Sequence, residues 1–148
     1  MIRLLDVPGH GKLTPQTMLL ADKADCIVVV VDSTDREQFS ASATLLYDLL
    51  LLESLPSKRL LLLVNKADSA EALPANVLTS ELEAEIRRLR DSRNVLMENE
   101  RRQRSLGPSE SPFSLDMLPC RVEVLSFSAK DHDVGSVRSF LADKRKAS

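Results

Sequence analysis

The stretch Arg59–Asp68, RLLLLVNKAD, decides the fold of this 148-residue chain. Its apolar part, Leu60–Val64, is an unbroken run of five residues, which predicts a strand buried on both faces of a parallel sheet. The run ends in Asn65, Lys66 and Asp68, where such a strand would open into a loop. In doubly wound α/β sheets, ligands bind outside the carboxyl ends of the strands. The stretch therefore predicts a buried strand with candidate ligand contacts at its end.

The composition is that of a globular protein with one core. Hydrophobic residues make up 43% of the chain and charged residues 28%. The net charge of −2 gives no reason to expect a direct nucleic-acid partner. Cys26 and Cys120 each begin an apolar run, which favours free buried thiols in a reducing compartment. The longest apolar region, Leu45–Leu55, is interrupted by Asp48 and Glu53, so we expect no membrane span and a soluble chain.

Predicted strands and helices alternate along the sequence. Short apolar runs predict four strands: Ile2–Leu5, Cys26–Val31, Leu60–Val64 and Arg121–Phe127. Capping residues and apolar spacing predict the helices: Thr14–Ala24, Asp35–Leu55 with Gln38 completing its cap, a helix opened by a Ser80–Glu83 capping box, and a last helix at Val134–Leu141. This alternation predicts a parallel sheet with right-handed crossovers. We expect one domain over 1–148, with an irregular loop at 105–119 and a polar tail at 144–148.

The first strand runs into the motif Asp6-Val7-Pro8-Gly9. An aspartate at a strand end is where a nucleotide-binding sheet holds Mg²⁺, usually through a water. Gly9 has no Cβ to keep its backbone N–H away from a γ-phosphate. His10 then takes the place of a water-orienting catalytic side chain. The alternative interpretation is an Asp-x-x-Gly turn followed by an exposed histidine.

Polar residues after the third and fourth strands have the chemistry to read guanine. The Asp68 carboxylate can accept parallel hydrogen bonds from the ring N–H and the exocyclic amine, which adenine does not offer in that arrangement. The Lys66 stem can lie along the face of the base. The Ala129 N–H can donate to the guanine O6, and Ser128 can steady the Asp68 carboxylate. The alternative for residues 65–68 is an Asx-type turn without a ligand.

These motifs in this order resemble the second half of a Ras-like small GTPase: Asp6-Val7-Pro8-Gly9, Asn65-Lys66-Ala67-Asp68 and Ser128-Ala129-Lys130. Within that superfamily the chain is most similar to the signal recognition particle receptor beta family. That likeness rests on the Asp-x-Pro-Gly-His form of the first motif, on VVVDS at Val29–Ser33 and on FSLDMLP at Phe113–Pro119. Arf-like and Sar-like GTPases share the architecture and are the alternative. The resemblance implies an α/β, Ras-like P-loop GTPase fold, with a mostly parallel sheet between two layers of helices.

The resemblance also implies cofactors, site residues and partners. GTP or GDP and Mg²⁺ would be bound by three groups of residues: Asn65, Lys66, Asp68, Ser128, Ala129 and Lys130 at the guanine, Gly9 at the γ-phosphate, and Asp6 at Mg²⁺ through water. His10 would be catalytic in place of the more usual glutamine. The implied function is a guanine-nucleotide switch in co-translational protein targeting, docked on the receptor alpha subunit at the cytoplasmic face of the endoplasmic reticulum. The parent protein would be membrane-anchored.

One family motif is missing from this sequence, the phosphate loop Gly-x-x-x-x-Gly-Lys-Ser/Thr. The chain has only four glycines, and the Gly11-Lys12 pair has Asp6 where the loop needs glycine. We therefore expect the first strand, the phosphate loop and the switch I segment to be lacking, and the sequence to be an amino-terminally incomplete copy of a longer protein. Such a chain is not expected to hydrolyse GTP on its own. A nucleotide-free interaction scaffold is the second functional hypothesis.

Overall fold

A three-stranded parallel sheet forms the centre of the computed structural model, which describes residues 2–9, 14–97, 106, 112–132 and 134–143. The strands are β1 (Cys26–Asp32), β2 (Arg59–Asn65) and β3 (Arg121–Ser126), in that spatial order. In register, Leu60 of β2 lies opposite Ile27 of β1 and Val122 of β3. All the apolar residues of β2 are buried. The prediction of a strand buried on both faces of a parallel sheet is confirmed.

Helices cover both faces of this sheet. Their bounds are α1 (Thr14–Lys23), α2 (Phe39–Leu50), α3 (Ala75–Met97) and α4 (Gly135–Ala142). Successive strand residues point to opposite faces, so Leu60 and Leu62 share one apolar cluster with buried residues of α2 and α3. Leu61 and Leu63 instead pack with Phe140 of α4 in a second cluster. The result is a three-layer α/β arrangement in which the carboxyl end of β2 is held from both sides.

The strand predicted at residues 2–5 is wrong. Residues 2–9 are described and contain no strand, and Ile2 and Leu4 are 61% and 76% exposed. Backbone N–H and C=O groups form a strand only when a neighbouring strand accepts and donates their hydrogen bonds. Within the described residues, β1 pairs with β2 alone and residues 2–5 pair with no strand. The apolar run is therefore present without the partner that a strand requires.

The capping box predicted for Ser80 and Glu83 is also wrong. Helix α3 begins earlier, at Ala75, and the Ser80 hydroxyl donates to a backbone carbonyl inside the helix. Glu83 instead accepts hydrogen bonds from the Leu115 N–H at 2.8 Å and the Ser114 hydroxyl at 3.0 Å. The carboxylate thus caps a short 3₁₀ turn (Leu115–Met117) that lies far away along the sequence. The spacing of Ser80 and Glu83 is that of a capping box, but Glu83 makes its contacts with residues distant in sequence.

The remaining boundaries differ by smaller amounts. The helix predicted over 35–55 is divided, because Asp35 caps a 3₁₀ turn (Arg36–Gln38) and α2 follows it, ending at Leu50. Gln38 makes no side-chain capping hydrogen bond. Of the loop predicted at 105–119, residues 106 and 112–119 are described and include the 3₁₀ turn Leu115–Met117, whereas the tail at 144–148 lies entirely outside the described residues.

Both cysteines are free, as predicted, with Cys120 buried and Cys26 half-buried. Burial raises the pKa of each thiol, which keeps it in its neutral form. In the described parts of the chain, no helix combines the length and the apolar character that a membrane crossing needs.

Candidate functional site

The carboxyl ends of the three strands meet at one edge of the sheet. Asp32 at the end of β1 lies opposite Asn65 at the end of β2, and Val64 lies opposite Ser126 of β3. The loops that follow β2 and β3 therefore leave the sheet side by side. Together with the end of β1 they form the strand-end cluster: Asp32, residues 65–68 and residues 128–130.

Backbone hydrogen bonds fix the start of each loop. The N–H and the hydroxyl of Ser33 donate to the Asn65 carbonyl at 3.1 and 2.7 Å. On the other side of β2, Phe127 donates to the Val64 carbonyl at 2.8 Å, and Ala67 donates to the Phe127 carbonyl at 3.0 Å. Hydrogen bonds thus join the start of the loop after β2 to the segments that follow both neighbouring strands. This places its side chains on a rigid part of the fold, as a binding site requires.

Asp68 is held as a charged, oriented carboxylate. The Ser128 hydroxyl donates to its Oδ1 at 2.8 Å, and the Lys130 ammonium lies 3.8 Å from its Oδ2. The Ser128 hydrogen bond lowers the pKa of Asp68, because a donor to the carboxylate favours its ionised form. Ser128 is buried and also accepts a hydrogen bond from the Asp131 N–H at 3.2 Å. The contact predicted between Ser128 and Asp68 is therefore present.

Asn65 ties the two loops together. Its side-chain Oδ1 accepts a hydrogen bond from the Ala129 N–H at 3.1 Å, which joins the end of β2 to the loop after β3. This N–H is the one predicted to donate to a guanine O6. An incoming carbonyl oxygen would therefore have to share the N–H with Asn65 or displace it. The structure brings Asn65 and Ala129 together, and the role of each toward a base stays a prediction.

Lys66 pairs through its side chain with Asp32 at the end of β1. Its backbone has a φ of 65°, in the left-handed region, and its ammonium lies 2.6 Å from the Asp32 Oδ2. Asp32 is fixed in turn by Thr34, whose N–H and hydroxyl donate to Oδ1 at 2.9 and 2.7 Å. Sequence reasoning did not assign Asp32 to the site. The available signal was an aspartate at the end of a buried strand, the same signal that singled out Asp6.

Hydrogen bonding from Lys66 is the largest of the effects that lower the pKa of Asp32 to about 2. Since this pKa lies below the ordinary value, the stabilisation from Asp32 is complete above about pH 4 and is lost as the pH falls through about 2.

We expect Lys66→Met to move the pKa of Asp32 back toward its ordinary value. Carbon-detected NMR titration of the carboxyl groups measures this. The control Lys130→Met should move the pKa of Asp68 and leave Asp32 unchanged; a shift of Asp32 in the control would contradict the pairing.

The residues predicted to contact phosphate and Mg²⁺ do not form a site in the described part of the chain. Asp6 is exposed, and a Cβ added at Gly9 would meet nothing within 4 Å, so none of the described backbone or side-chain atoms closes around that glycine. Within the described residues, no group of three or more His, Cys, Asp or Glu could hold a metal ion. His10 lies outside the described residues. Among the described residues no phosphate or Mg²⁺ site is formed, and the roles of Asp6, Gly9 and His10 stay predictions.

Similarity to known proteins covers most of the chain. The profile of a family described as signal recognition particle receptor beta subunit matches residues 1–122. A signal recognition particle receptor subunit beta from Homo sapiens is 34% identical over 147 residues, which cover 91% of this chain and 54% of the relative. The chain spans about half the length of the curated relatives it matches.

Solved structures share the fold. A mammalian signal recognition particle receptor matches with a TM-score of 0.77 and 32% identity, over 93% of this chain and 71% of that chain. An SRb-GTP/SRX complex of the receptor from Chaetomium thermophilum matches with a TM-score of 0.65 and 25% identity, over 83% of this chain and 54% of that chain. The predicted α/β, Ras-like fold class is confirmed.

Proposed function

Since the chain belongs to the signal recognition particle receptor beta subunit family, we propose that its strand-end cluster is the guanine-reading part of a GTP-dependent switch. One observation supports this most directly. The Asp68 carboxylate is ionised and oriented by the buried Ser128 hydroxyl at 2.8 Å, at the sheet edge where α/β proteins bind ligands. A fixed carboxylate of this kind suits a base that presents two adjacent N–H donors.

The chemistry of guanine matches the groups in the cluster. Its ring N–H and exocyclic amine donate to the two oxygens of Asp68, and hydrogen bonds to a charged acceptor are about twice as strong as neutral ones. Its O6 accepts from the Ala129 N–H, and the Lys66 stem covers one face. Lys130, at 3.8 Å from Asp68, is loosely placed and yields its position to the base. Adenine presents no such donor pair and leaves the carboxylate unpaired, which costs binding energy.

Base recognition and phosphate binding are separate in this chain. The 148 residues contain no Gly-x-x-x-x-Gly-Lys-Ser/Thr loop, and the described residues around Gly9 form no cradle. We assign to this chain the selectivity for guanine and no hydrolysis. Three further roles are proposed for a longer parent protein that also carries the phosphate loop. They are a water-mediated Mg²⁺ contact at Asp6, a γ-phosphate contact at Gly9 and a water-orienting role for His10.

The proposed cellular role is co-translational protein targeting at the cytoplasmic face of the endoplasmic reticulum, in a membrane-anchored parent protein. Its partner there is the receptor alpha subunit. Family membership supports this role, as does the relative from Chaetomium thermophilum, which was solved as an SRb-GTP/SRX complex. The match over residues 1–122 favours this assignment over an Arf-like or Sar-like trafficking GTPase.

A nucleotide-free interaction scaffold is the second candidate. It is favoured by the hydrogen bond between Asn65 and the Ala129 N–H, because this contact satisfies the donor without any ligand. The absence of the phosphate-loop motif from the sequence points the same way. The two candidates differ in one measurable respect, which is whether a guanine base perturbs the strand-end cluster.

We expect GMP, and not AMP, to bind weakly to the chain and to shift the amide resonances of residues 65–68 and 128–130. Because the sequence has no phosphate-loop motif and the described residues form no phosphate cradle, GTP with Mg²⁺ should bind within about threefold of GMP, a difference of under about 1 kcal/mol. NMR titration measures both affinities. GTP binding at micromolar affinity would contradict the separation of base and phosphate binding. Equal shifts with AMP, or none with GMP, would favour the scaffold.

A further inference from the structure

We propose that Asp32 is a positioning residue of the guanine site, which holds the Lys66 ammonium away from Asp68 and so keeps that carboxylate open for the base. The inference rests on the proposed function, because it concerns the specificity of the same site. It adds a residue from a third strand, since Asp32 ends β1 whereas the guanine-reading residues follow β2 and β3.

Lys66 has more than one carboxylate within electrostatic reach. It lies two residues before Asp68, and its ammonium contacts the Asp32 Oδ2 at 2.6 Å. Asp32 has the largest effect in raising the pKa of Lys66, and the charges of Asp35 and Asp68 act in the same direction. Asp68 is therefore an alternative partner for the lysine, and Asp32 and Asp68 compete for its ammonium.

Hydrogen bonds from Thr34 orient the Asp32 carboxylate independently of Lys66. Its Oδ1 accepts hydrogen bonds from both the N–H and the hydroxyl of Thr34, which leaves Oδ2 for Lys66. The strand register places Asp32 directly opposite Asn65, the residue before Lys66. A carboxylate held by two local donors loses little further freedom on pairing, which favours the contact between Lys66 and Asp32.

The occupancy of Asp68 shows why this choice matters. Its Oδ1 already accepts from Ser128, and among the described side chains the exposed ammonium of Lys130 lies 3.8 Å from its Oδ2. If Lys66 turned to Asp68, a close ion pair would cover the oxygens that guanine needs. The base would then have to break that pair before binding. Asp32 prevents this competition by giving Lys66 a better partner.

We expect the ion pair between Lys66 and Asp32 to affect the selectivity of the site for guanine and to contribute little to the stability of the fold. The side chains of Lys66 and Asp32 are 54% and 31% exposed, and exposed ion pairs contribute little to stability. A merely structural role would therefore leave both guanine affinity and the state of Asp68 unchanged when the pair is removed without unfolding the chain.

The test is a double-mutant cycle with Asp32→Asn and Lys66→Met in the full 148-residue chain. Asn keeps an oxygen for Thr34 but loses the charge that holds the lysine, and Met keeps the apolar stem of Lys66 but loses its ammonium. We expect Asp32→Asn to weaken GMP binding by about threefold, the factor typical of an exposed ion pair. In the Lys66→Met background the same change should have no effect, because there is then no ammonium to redirect.

A second readout needs no nucleotide. In Asp32→Asn, the carboxyl NMR titration should give a lower pKa for Asp68, since the released ammonium approaches it; in the double variant this decrease should vanish. Asp35→Asn is the matched control, because Asp35 lies within electrostatic reach of Lys66 without bonding it. That control should change neither readout.

The outcomes separate the two proposals. An unchanged pKa of Asp68 in Asp32→Asn would overturn the positioning role, as would an equal loss of GMP affinity with and without the Lys66 ammonium. Failure of the unsubstituted chain to bind GMP would overturn the proposed function and the specificity role with it. The Asp68 titration would still report, in that case, whether Asp32 controls where Lys66 points.

Discussion

We expect Asp68→Asn to reverse the proposed base preference of the chain from guanine to xanthine. The introduced amide can still accept from the ring N–H, but its NH₂ group faces the exocyclic amine of guanine, and two donors then meet without an acceptor. Xanthine carries a carbonyl at that position, which accepts from the same NH₂ group. Since a hydrogen bond to a charged group contributes about 1.5–3 kcal/mol, GMP affinity should fall at least about tenfold, while XMP should bind better than it does to the unsubstituted chain.

NMR titration of both proteins with GMP and XMP measures this reversal. Glu71→Gln is the matched control, because it neutralises an exposed carboxylate three residues after Asp68 and should leave both affinities unchanged. The oxygen of the introduced amide can still accept from Ser128, so the loop should keep its shape. An unchanged preference for GMP in Asp68→Asn would remove Asp68 from the site.

Replacing Leu61 by alanine has the largest effect that we expect on stability. Leu61 lies on the central strand with 0% of its surface exposed and packs with Phe140 of α4. Removing a fully buried leucine side chain loses its transfer free energy and leaves a cavity, at a cost of about 2–5 kcal/mol. Urea unfolding followed by circular dichroism measures the loss of the free energy of unfolding.

The same chemical change at an exposed position serves as the control. Leu19 on α1 is 66% exposed, and Leu19→Ala should change the free energy of unfolding by less than about 0.5 kcal/mol. Similar losses at the two positions would contradict the placement of β2 at the centre of the sheet with α4 on one of its faces.

The parts of the fold that sequence reasoning predicted are those in which local pattern and long-range pairing agree. The run 60–64 is apolar at every position, which is typical of a strand covered on both faces, and β2 is such a strand. The polar residues at its end had to emerge at the ligand-binding edge, because the end of a strand fixes where its loop begins. The predicted contact between Ser128 and Asp68 lies at this edge, with the Ser128 hydroxyl 2.8 Å from the Asp68 carboxylate.

The failures occurred where a distant partner decides the structure. Residues 2–5 have strand composition, but no strand among the described residues pairs with them. Ser80 and Glu83 have the spacing of a capping box, yet Glu83 bonds to Ser114 and to its neighbour Leu115. Spacing along the chain cannot distinguish a carboxylate that caps its own helix from one that caps a turn packed against it.

Two contacts of the strand-end cluster were missed for the same reason. The pairing of Asp32 with Lys66 depends on the parallel register that puts Asp32 opposite Asn65. The hydrogen bond from Ala129 to Asn65 joins residues 64 positions apart. Both contacts follow from the order of the strands in the sheet, which the sequence leaves open even when each strand is found.

The most direct test of guanine recognition is the ratio of the affinities of the chain for GMP and IMP. The two nucleotides share the ring N–H, the O6 and the phosphate, and IMP lacks only the exocyclic amine. If the Asp68 carboxylate accepts both hydrogen bonds, IMP should bind about tenfold or more weakly, the equivalent of one hydrogen bond to a charged acceptor. Equal affinities for GMP and IMP would contradict guanine recognition by Asp68.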